Sequence, residues 1–181
     1  MKATEVLRHE HEVVMLVLNG TRRVVGNLAG ALQADPLLAE KLHGFFANFV
    51  DHCHHTKEER HLFPRLWQRG LPRGHGPTTL MLKEHDLGRE IVSDIGDVLP
   101  GVAKGDAEAI SKLRQALLDY DGLMREHIDK ENRVLFMLAE DLLTDADNEE
   151  LVAAFEQVET QEIGEGMHEK YHQLAHELAG Q

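Results

Sequence analysis

A histidine and a glutamate four residues apart occur twice in equivalent settings, as His54 with Glu58 and as His127 with Glu131. On a helix that spacing offsets the two side chains by about 40° and about 6 Å, so both can aim at one point beside the helix. The surroundings repeat as well. His54-His55-Thr56-Lys57-Glu58-Glu59-Arg60-His61-Leu62-Phe63 and His127-Ile128-Asp129-Lys130-Glu131-Asn132-Arg133-Val134-Leu135-Phe136 share the form H-x-x-K-E-x-R-x-L-F. Upstream, Leu7-Arg8-His9-Glu10-His11 is echoed by Met81-Leu82-Lys83-Glu84-His85. His11 precedes His54 by 43 residues and His85 precedes His127 by 42, so two helix pairs carry one polar pattern.

Two carboxylates facing each other in an apolar interior repel, and each is costly to bury alone. Cations between them remove both penalties. With His11 and His85 on the partner helices, the donor set becomes four imidazoles and two carboxylates. Such a set, free of thiolate, suits iron, manganese or zinc, and two bridging glutamates would hold two ions a few ångströms apart. Six protein donors for two ions leave coordination positions open to an outside ligand. One helical histidine by itself is ordinarily a hydrogen-bonded surface or core residue; the assignment rests on the pair, its repetition and the matched spacing. His55 with Glu59 has the same spacing, but the repeat sets them against Ile128 and Asn132, which favours His54 with Glu58. Another two-metal pattern uses E-x-x-H on two helices. Glu58 and His61 fit it, yet Val134 stands where its second copy needs a histidine.

The elements that must position these residues are helices. Apolar residues recur at helical spacing through Val6, Leu7, Val14, Leu18 and Val25, break near Asp35-Pro36, and resume through Leu38, Leu42, Phe46, Phe49 and Val50 into Leu62, Phe63 and Leu66 despite Pro64. The glycine and proline cluster from Gly70 to Pro77 reads as an exposed connection. A third helix is expected over about Thr79 to Leu99, stopped by Pro100-Gly101, and a fourth from an Asp106 cap to Leu143. A fifth runs from Thr144-Asp145 to about Leu178. The expected fold is all-α, an up-down antiparallel four-helix bundle over residues 1–143 with an additional C-terminal helix, residues 144–181, packed on it.

Charge narrows the function. With 19 basic against 32 acidic residues the formal charge is -13, which disfavours nucleic acid and anionic membrane as partners. The opening MKATEVLRHEHE has no basic stretch followed by an apolar core, and no apolar run is long enough to span a bilayer, so a cytoplasmic location is expected. The single cysteine, Cys53, excludes an internal disulfide and reads as a small buried filler. Thirteen histidines are far more than average usage supplies. His9, His43, His52, His61 and His75 read as surface or packing residues, Tyr120 and Trp67 as core. A stripe of His168, His172 and His176, with Glu165, Glu169 and Tyr171 nearby, reads as a solvated or packing face that could lend the site a ligand or an outer hydrogen bond.

Together Glu10-His11, the stretch His54 to Pro64, Met81 to Arg89 and His127 to Phe136 resemble the hemerythrin family, specifically bacterial proteins with the HHE cation-binding domain. The resemblance spreads over about residues 4 to 140. It implies a non-haem centre of two iron ions, bridged by an oxo or hydroxo group and held by His11, His54, Glu58, His85, His127 and Glu131. Oxygen-carrying hemerythrins have a further histidine one turn beyond the first on helix three, where this chain has Arg89. The resemblance is therefore closer to the four-histidine, two-glutamate form seen in iron-sulfur cluster repair proteins, whose cysteine-bearing N-terminal module has no counterpart here. The function expected is binding or sensing of a small ligand, dioxygen, nitric oxide or peroxide, at open iron positions. The alternatives are an enzyme consuming peroxide or oxidising ferrous iron, or a role in iron storage or cluster repair.

Overall fold

The protein, seen in a computed structural model, is described over residues 1–28, 35–164 and 166–180, apart from the side chains of residues 23, 24, 26–28, 162, 163, 167, 168, 179 and 180. It is all-helical, with no strand among the described residues. We number six helices: α1 (Ala3–Leu28), α2 (36–68), α3 (Pro77–Ala103), α4 (107–142), α5 (145–163) and α6 (Met167–Gly180).

The starts are fixed by side chains that occupy the unpaired backbone donors of a first turn. The Asp35 carboxylate accepts from the amides of Leu37 and Leu38 ahead of Pro36 in α2, and Asp106 accepts from those of Glu108 and Ala109 in α4, as its place in the sequence indicates. Thr144 and Asp147 cap α5 reciprocally. Two boundaries differ from expectation. Pro100 does not stop α3, which continues to Ala103 with the proline in its last turns. The expected single fifth helix is two, because Gly164 (φ 88°) and Gly166 (φ 77°) adopt left-handed conformations that interrupt the helical path between α5 and α6.

α2 and α4 are not uniform α-helices. In α2, Phe45–His55 and Glu58–Leu62 are π-helical, and in α4 so is Glu131–Leu135. The Phe63 amide bonds the Glu58 carbonyl and the Phe136 amide bonds the Glu131 carbonyl, each five residues back. The two copies of the repeat therefore widen at the same place, and such widened turns are common at functional sites.

Two apolar clusters flank the polar residues. One gathers Ala3 and Leu7 of α1, Leu62, Phe63 and Leu66 of α2, Met81 of α3, Leu135, Phe136 and Ala139 of α4, and Leu151 and Phe155 of α5. The other gathers Val14 and Leu18 of α1, Phe45, Phe46 and Phe49 of α2, Val92 and Ile95 of α3, Leu117 and Tyr120 of α4, and Tyr171 and Leu178 of α6. Along each of the first four helices the histidine and glutamate positions fall between the members of these clusters. Tyr120 is buried against Phe46, with ring centroids 4.3 Å apart. Trp67 is only half-buried, its indole donating to Thr78 Oγ1 at 3.1 Å. No helix is long and apolar enough to cross a membrane among the described residues.

Candidate metal centre

His11, His54, Glu58, His85, His127 and Glu131 are all buried and come together from α1, α2, α3 and α4. Their donor atoms form two overlapping groups that could hold a metal ion: His11, His54, Glu58 and Glu131, and Glu58, His85, His127 and Glu131. The glutamates belong to both. Glu58 stands with Oε1 3.9 Å from His54 Nε2 and Oε2 3.4 Å from His85 Nε2, one oxygen toward each group. Glu131 Oε2 lies 3.2 Å from Nε2 of His11 and 3.2 Å from Nε2 of His127.

The tautomers follow from what the outward nitrogens touch. His54 Nδ1 meets Glu10 Oε2 at 2.9 Å, His127 Nδ1 meets Glu84 Oε2 at 3.0 Å, His85 Nδ1 meets Glu59 Oε1 at 2.7 Å, and His11 Nδ1 meets Asn132 Oδ1 at 3.0 Å. All four partners are acceptors, so each Nδ1 donates its proton, and each ring in its neutral form turns the lone pair of Nε2 inward. Metal-ligating histidines are held in this way, the outer hydrogen bond fixing ring and tautomer.

This outer layer repeats with the inner one. The glutamate before each α1 or α3 histidine grips the histidine of the other helix in its pair and also the lysine three residues after it. Glu10 Oε1 pairs with Lys57 Nζ, and Glu84 Oε1 accepts from Lys130 Nζ at 2.5 Å. Lys57 is fully buried and reaches on to Glu159 Oε1 of α5 at 2.6 Å. Burial works against its charge, but Glu10 and then Glu159 more than offset that and hold the ammonium above its ordinary range. The shared lysine and the shared Glu-His in the sequence were thus signals for this layer. Glu159 carries no such signal, being more than a hundred residues from its partner.

The centre as it stands is electrostatically incomplete. Glu58 Oε1 and Oε2, Glu131 Oε1 and Oε2, His85 Nε2 and His127 Nε2 are buried without a hydrogen-bond partner. Burial, and then the facing Glu131, push the Glu58 carboxyl well above its usual range. Burial acts the same way on Glu131, but His127 and His11 overcome it and hold that carboxylate well down. His127, buried yet between Glu131 and Glu84, is raised to about 9, whereas burial and a neighbouring imidazole push His85 well below the ordinary value. His11 Nε2 and His54 Nε2 stand 3.0 Å apart with their lone pairs facing. Two nitrogens each about 2.1 Å from one ion and at right angles about it would be about 3.0 Å apart. A cation would satisfy this pair, and burial, with the neighbouring His11 imidazole and against the pull of Glu10, lowers the His54 pKa, which disfavours a proton as the substitute. The residues present fit metal.

The profile of the Hemerythrin HHE cation binding domain matches residues 2–139. The chain belongs to the hemerythrin HHE family. It is also 24% identical, over 163 residues, to uncharacterised proteins of Mycobacterium bovis and Mycobacterium tuberculosis, with 90% of this chain covered. The chain spans 63% of the length of these relatives. No solved structure matches it. Within this hemerythrin-family domain the remaining histidines divide clearly. His9, His52 and His75 are exposed and His43 and His61 half-buried, as expected for surface and packing positions. His172 packs near His9 and Phe49, His176 is exposed, and among the described residues no donor of that stripe joins the metal-holding groups. Glu165 and the His168 side chain lie outside the described residues. Tyr171 is buried edge-on to Phe45 and Phe49. Cys53 is buried and free, its thiol pushed up to about 12 by burial and by Glu10, which keeps it an inert filler.

Arg89 occupies the helix-three position where oxygen-carrying hemerythrins have a histidine. It turns outward to Asp51 Oδ1 at 2.8 Å and Glu59 Oε1 at 2.6 Å. His55 was set aside by the repeat because Ile128 is its counterpart. The structure buries it against His85 and His127, its donor atom grouped with theirs.

Proposed function

We propose that the chain is a non-haem di-iron protein whose metal pair, held by His11, His54, Glu58, His85, His127 and Glu131, binds or senses a small ligand such as dioxygen, nitric oxide or peroxide at open iron positions. The observation that carries it is the inward set of four Nε2 lone pairs around two buried carboxylates, each ring fixed from outside by its own acceptor. Membership of a cation-binding family and a donor set of imidazole and carboxylate without thiolate support iron among the metals that such donors suit. The up-down antiparallel four-helix bundle is the arrangement supported by the two flanking clusters, since one joins the starts of α1 and α3 to the ends of α2 and α4.

When bound, the iron pair would supply redox chemistry and open coordination positions for the small ligand. The chain's own part is positional. Glu58 and Glu131 face both sides of the centre and would tie the two ions together. Glu10 and Glu84 orient His54 and His127, and the lysines neutralise those glutamates. Leu62, Phe63, Leu135 and Phe136 close one end against water. A surface cavity of about 440 Å³, lined by Arg8, His11, Glu12, Met15, Ile128 and Asn132, gives a small molecule an approach on the His11 side.

The test is metal analysis of protein expressed with iron available, followed by optical spectra of the reduced form before and after dioxygen, nitric oxide or peroxide. About two irons per chain and a new absorption band with one of these ligands support the reading. Zinc alone, no metal, or iron whose spectrum ignores all three would defeat it.

A further inference from the structure

We infer that His55 is a seventh protein donor, the third imidazole of the ion held by His85 and His127, so that the two halves of the centre are unequal. This rests on the metal reading above and assigns a residue outside its six donors.

His55 is completely enclosed, and neither ring nitrogen has a hydrogen-bond partner. Its Nδ1 is 3.5 Å from Asp51 Oδ1, at the outer limit of hydrogen-bonding reach but near enough to orient the ring, which leaves Nε2 as the nitrogen with no hydrogen-bond partner beside it. The ring stacks on His85 with centroids 3.8 Å apart and meets His127 edge-on at 5.7 Å. The donor atoms of His55, His85 and His127 all lie within 4.8 Å of one another, the span of ligands around a single ion. An imidazole buried at this depth with no partner loses its water without replacement, and a neighbouring cation supplies that replacement.

The repeat sharpens the point. Glu59 and Asn132 are counterparts, and each crosses to the other half to hold a histidine, His85 and His11 respectively. His55 and Ile128 are counterparts in the same way. His55 crosses to His85 and His127, while Ile128 lines the cavity beside His11. At equivalent positions one half therefore gains an imidazole and the other an apolar wall beside an opening. With Arg89 turned outward to Asp51 and Glu59, His55 fills from α2 the third-imidazole place on the His85 side.

The experiment titrates ferrous iron anaerobically into the full chain against a competing chelator, and records Mössbauer spectra of the loaded protein, for the wild type, His55→Gln, His55→Ile and Ile128→His. The wild type is expected to take two ions and show two distinct quadrupole doublets of equal area. Either His55 variant weakens one of the two ions by at least about 10-fold and leaves the other unchanged, while His55→Ile, which makes the halves alike, draws the doublets together. Ile128→His strengthens the weaker ion and keeps the test open should the His55 variants fail to fold. Two ions of unchanged affinity and unchanged doublets in a folded His55 variant overturn the assignment of His55 alone. A wild type that takes up no iron overturns the metal reading and this inference with it.

Discussion

Replacing Lys57 by methionine tests whether the outer layer is held by charge. The substitution keeps an unbranched stem of similar length and removes the ammonium. Lys57 is wholly buried, Glu10 beside it is nearly so, and Glu10 also takes the Nδ1 proton of His54. Removing one member of a buried ion pair strands the other charge, at about 3–5 kcal/mol. Glu159, the second partner, has a side chain 29% exposed and returns to water, so its share is within the ~0–1 kcal/mol of exposed pairs. Glu10 can also lower its own cost by taking a proton. We therefore expect Lys57→Met to destabilise the metal-free protein by about 3 kcal/mol. Glu10→Gln removes the other charge and keeps an amide oxygen to accept from His54, so the double variant should recover about 2 kcal/mol relative to the sum of the singles. The assay is urea unfolding at neutral pH followed by helical circular dichroism on wild type, both singles and the double. A Lys57→Met cost below about 1 kcal/mol, or strict additivity in the double, would refute the argument that this pair is electrostatically closed.

Three other outcomes follow from equally local features. Glu84→Gln weakens the hold on His127 and Lys130 and should lower metal affinity by about 10-fold or more, read by chelator competition; an unchanged affinity removes Glu84 from the orienting layer. Asp147 accepts from Arg65, Arg69 and Thr144 and is held far below the ordinary carboxylate range, by Arg69 first, against the opposing effect of burial. A depressed carboxylate contributes fully above its unfolded pKa of about 3.9 and progressively less as pH falls below it, so Asp147→Ala should cost about 2 kcal/mol at pH 7, and wild type and variant should converge in strong acid. At Gly20 a Cβ would lie 2.7 Å from Leu178 Cβ, so Gly20→Val should lift α6 from α1 and speed proteolysis around Gly164–Gly166 without loss of metal; unaltered cleavage would show that α6 is not seated through that contact.

The repeat made it legible that these six residues meet in one buried cluster, because the residue types and spacing that would suit metal ligation survive in a single sequence. Helix starts at Asp35, Asp106 and Thr144 were legible for a similarly local reason, since a capping side chain bonds amides only two or three residues away. His55 was not legible. On a regular α-helix adjacent residues diverge strongly, so choosing His54 as inward excludes its neighbour. The π-helical turns of Phe45–His55 narrow that angle and let both face the interior. Nothing in the residue types announces those turns. The link from Lys57 to Glu159 was hidden for another reason, because it joins α2 to a helix beyond the repeated segments, and only tertiary packing sets that distance.

What the repeat leaves equal and what it breaks have different physical meanings. The elements it keeps, Glu10 and Glu84 on His54 and His127, Lys57 and Lys130 behind them, and Glu58 and Glu131 between the halves, all serve to orient imidazoles and balance buried charge. Those tasks would be identical for each of two ions, so nothing would be gained by solving them differently. The elements it breaks lie where the halves meet the outside. Glu59, an anion braced by Arg89, supports His85, whereas neutral Asn132, braced by Arg8, supports His11. A carboxylate acceptor makes its imidazole the more basic donor, so His85 would bind its ion more tightly than His11 binds the other. His55 against Ile128 acts in the same sense, and the cavity opens beside His11. On the proposed di-metal reading, all three differences would direct strong ligation to the enclosed side and leave the weaker, more accessible positions facing the cavity, the division of labour expected of a centre that takes up a small ligand at one ion while the other anchors it.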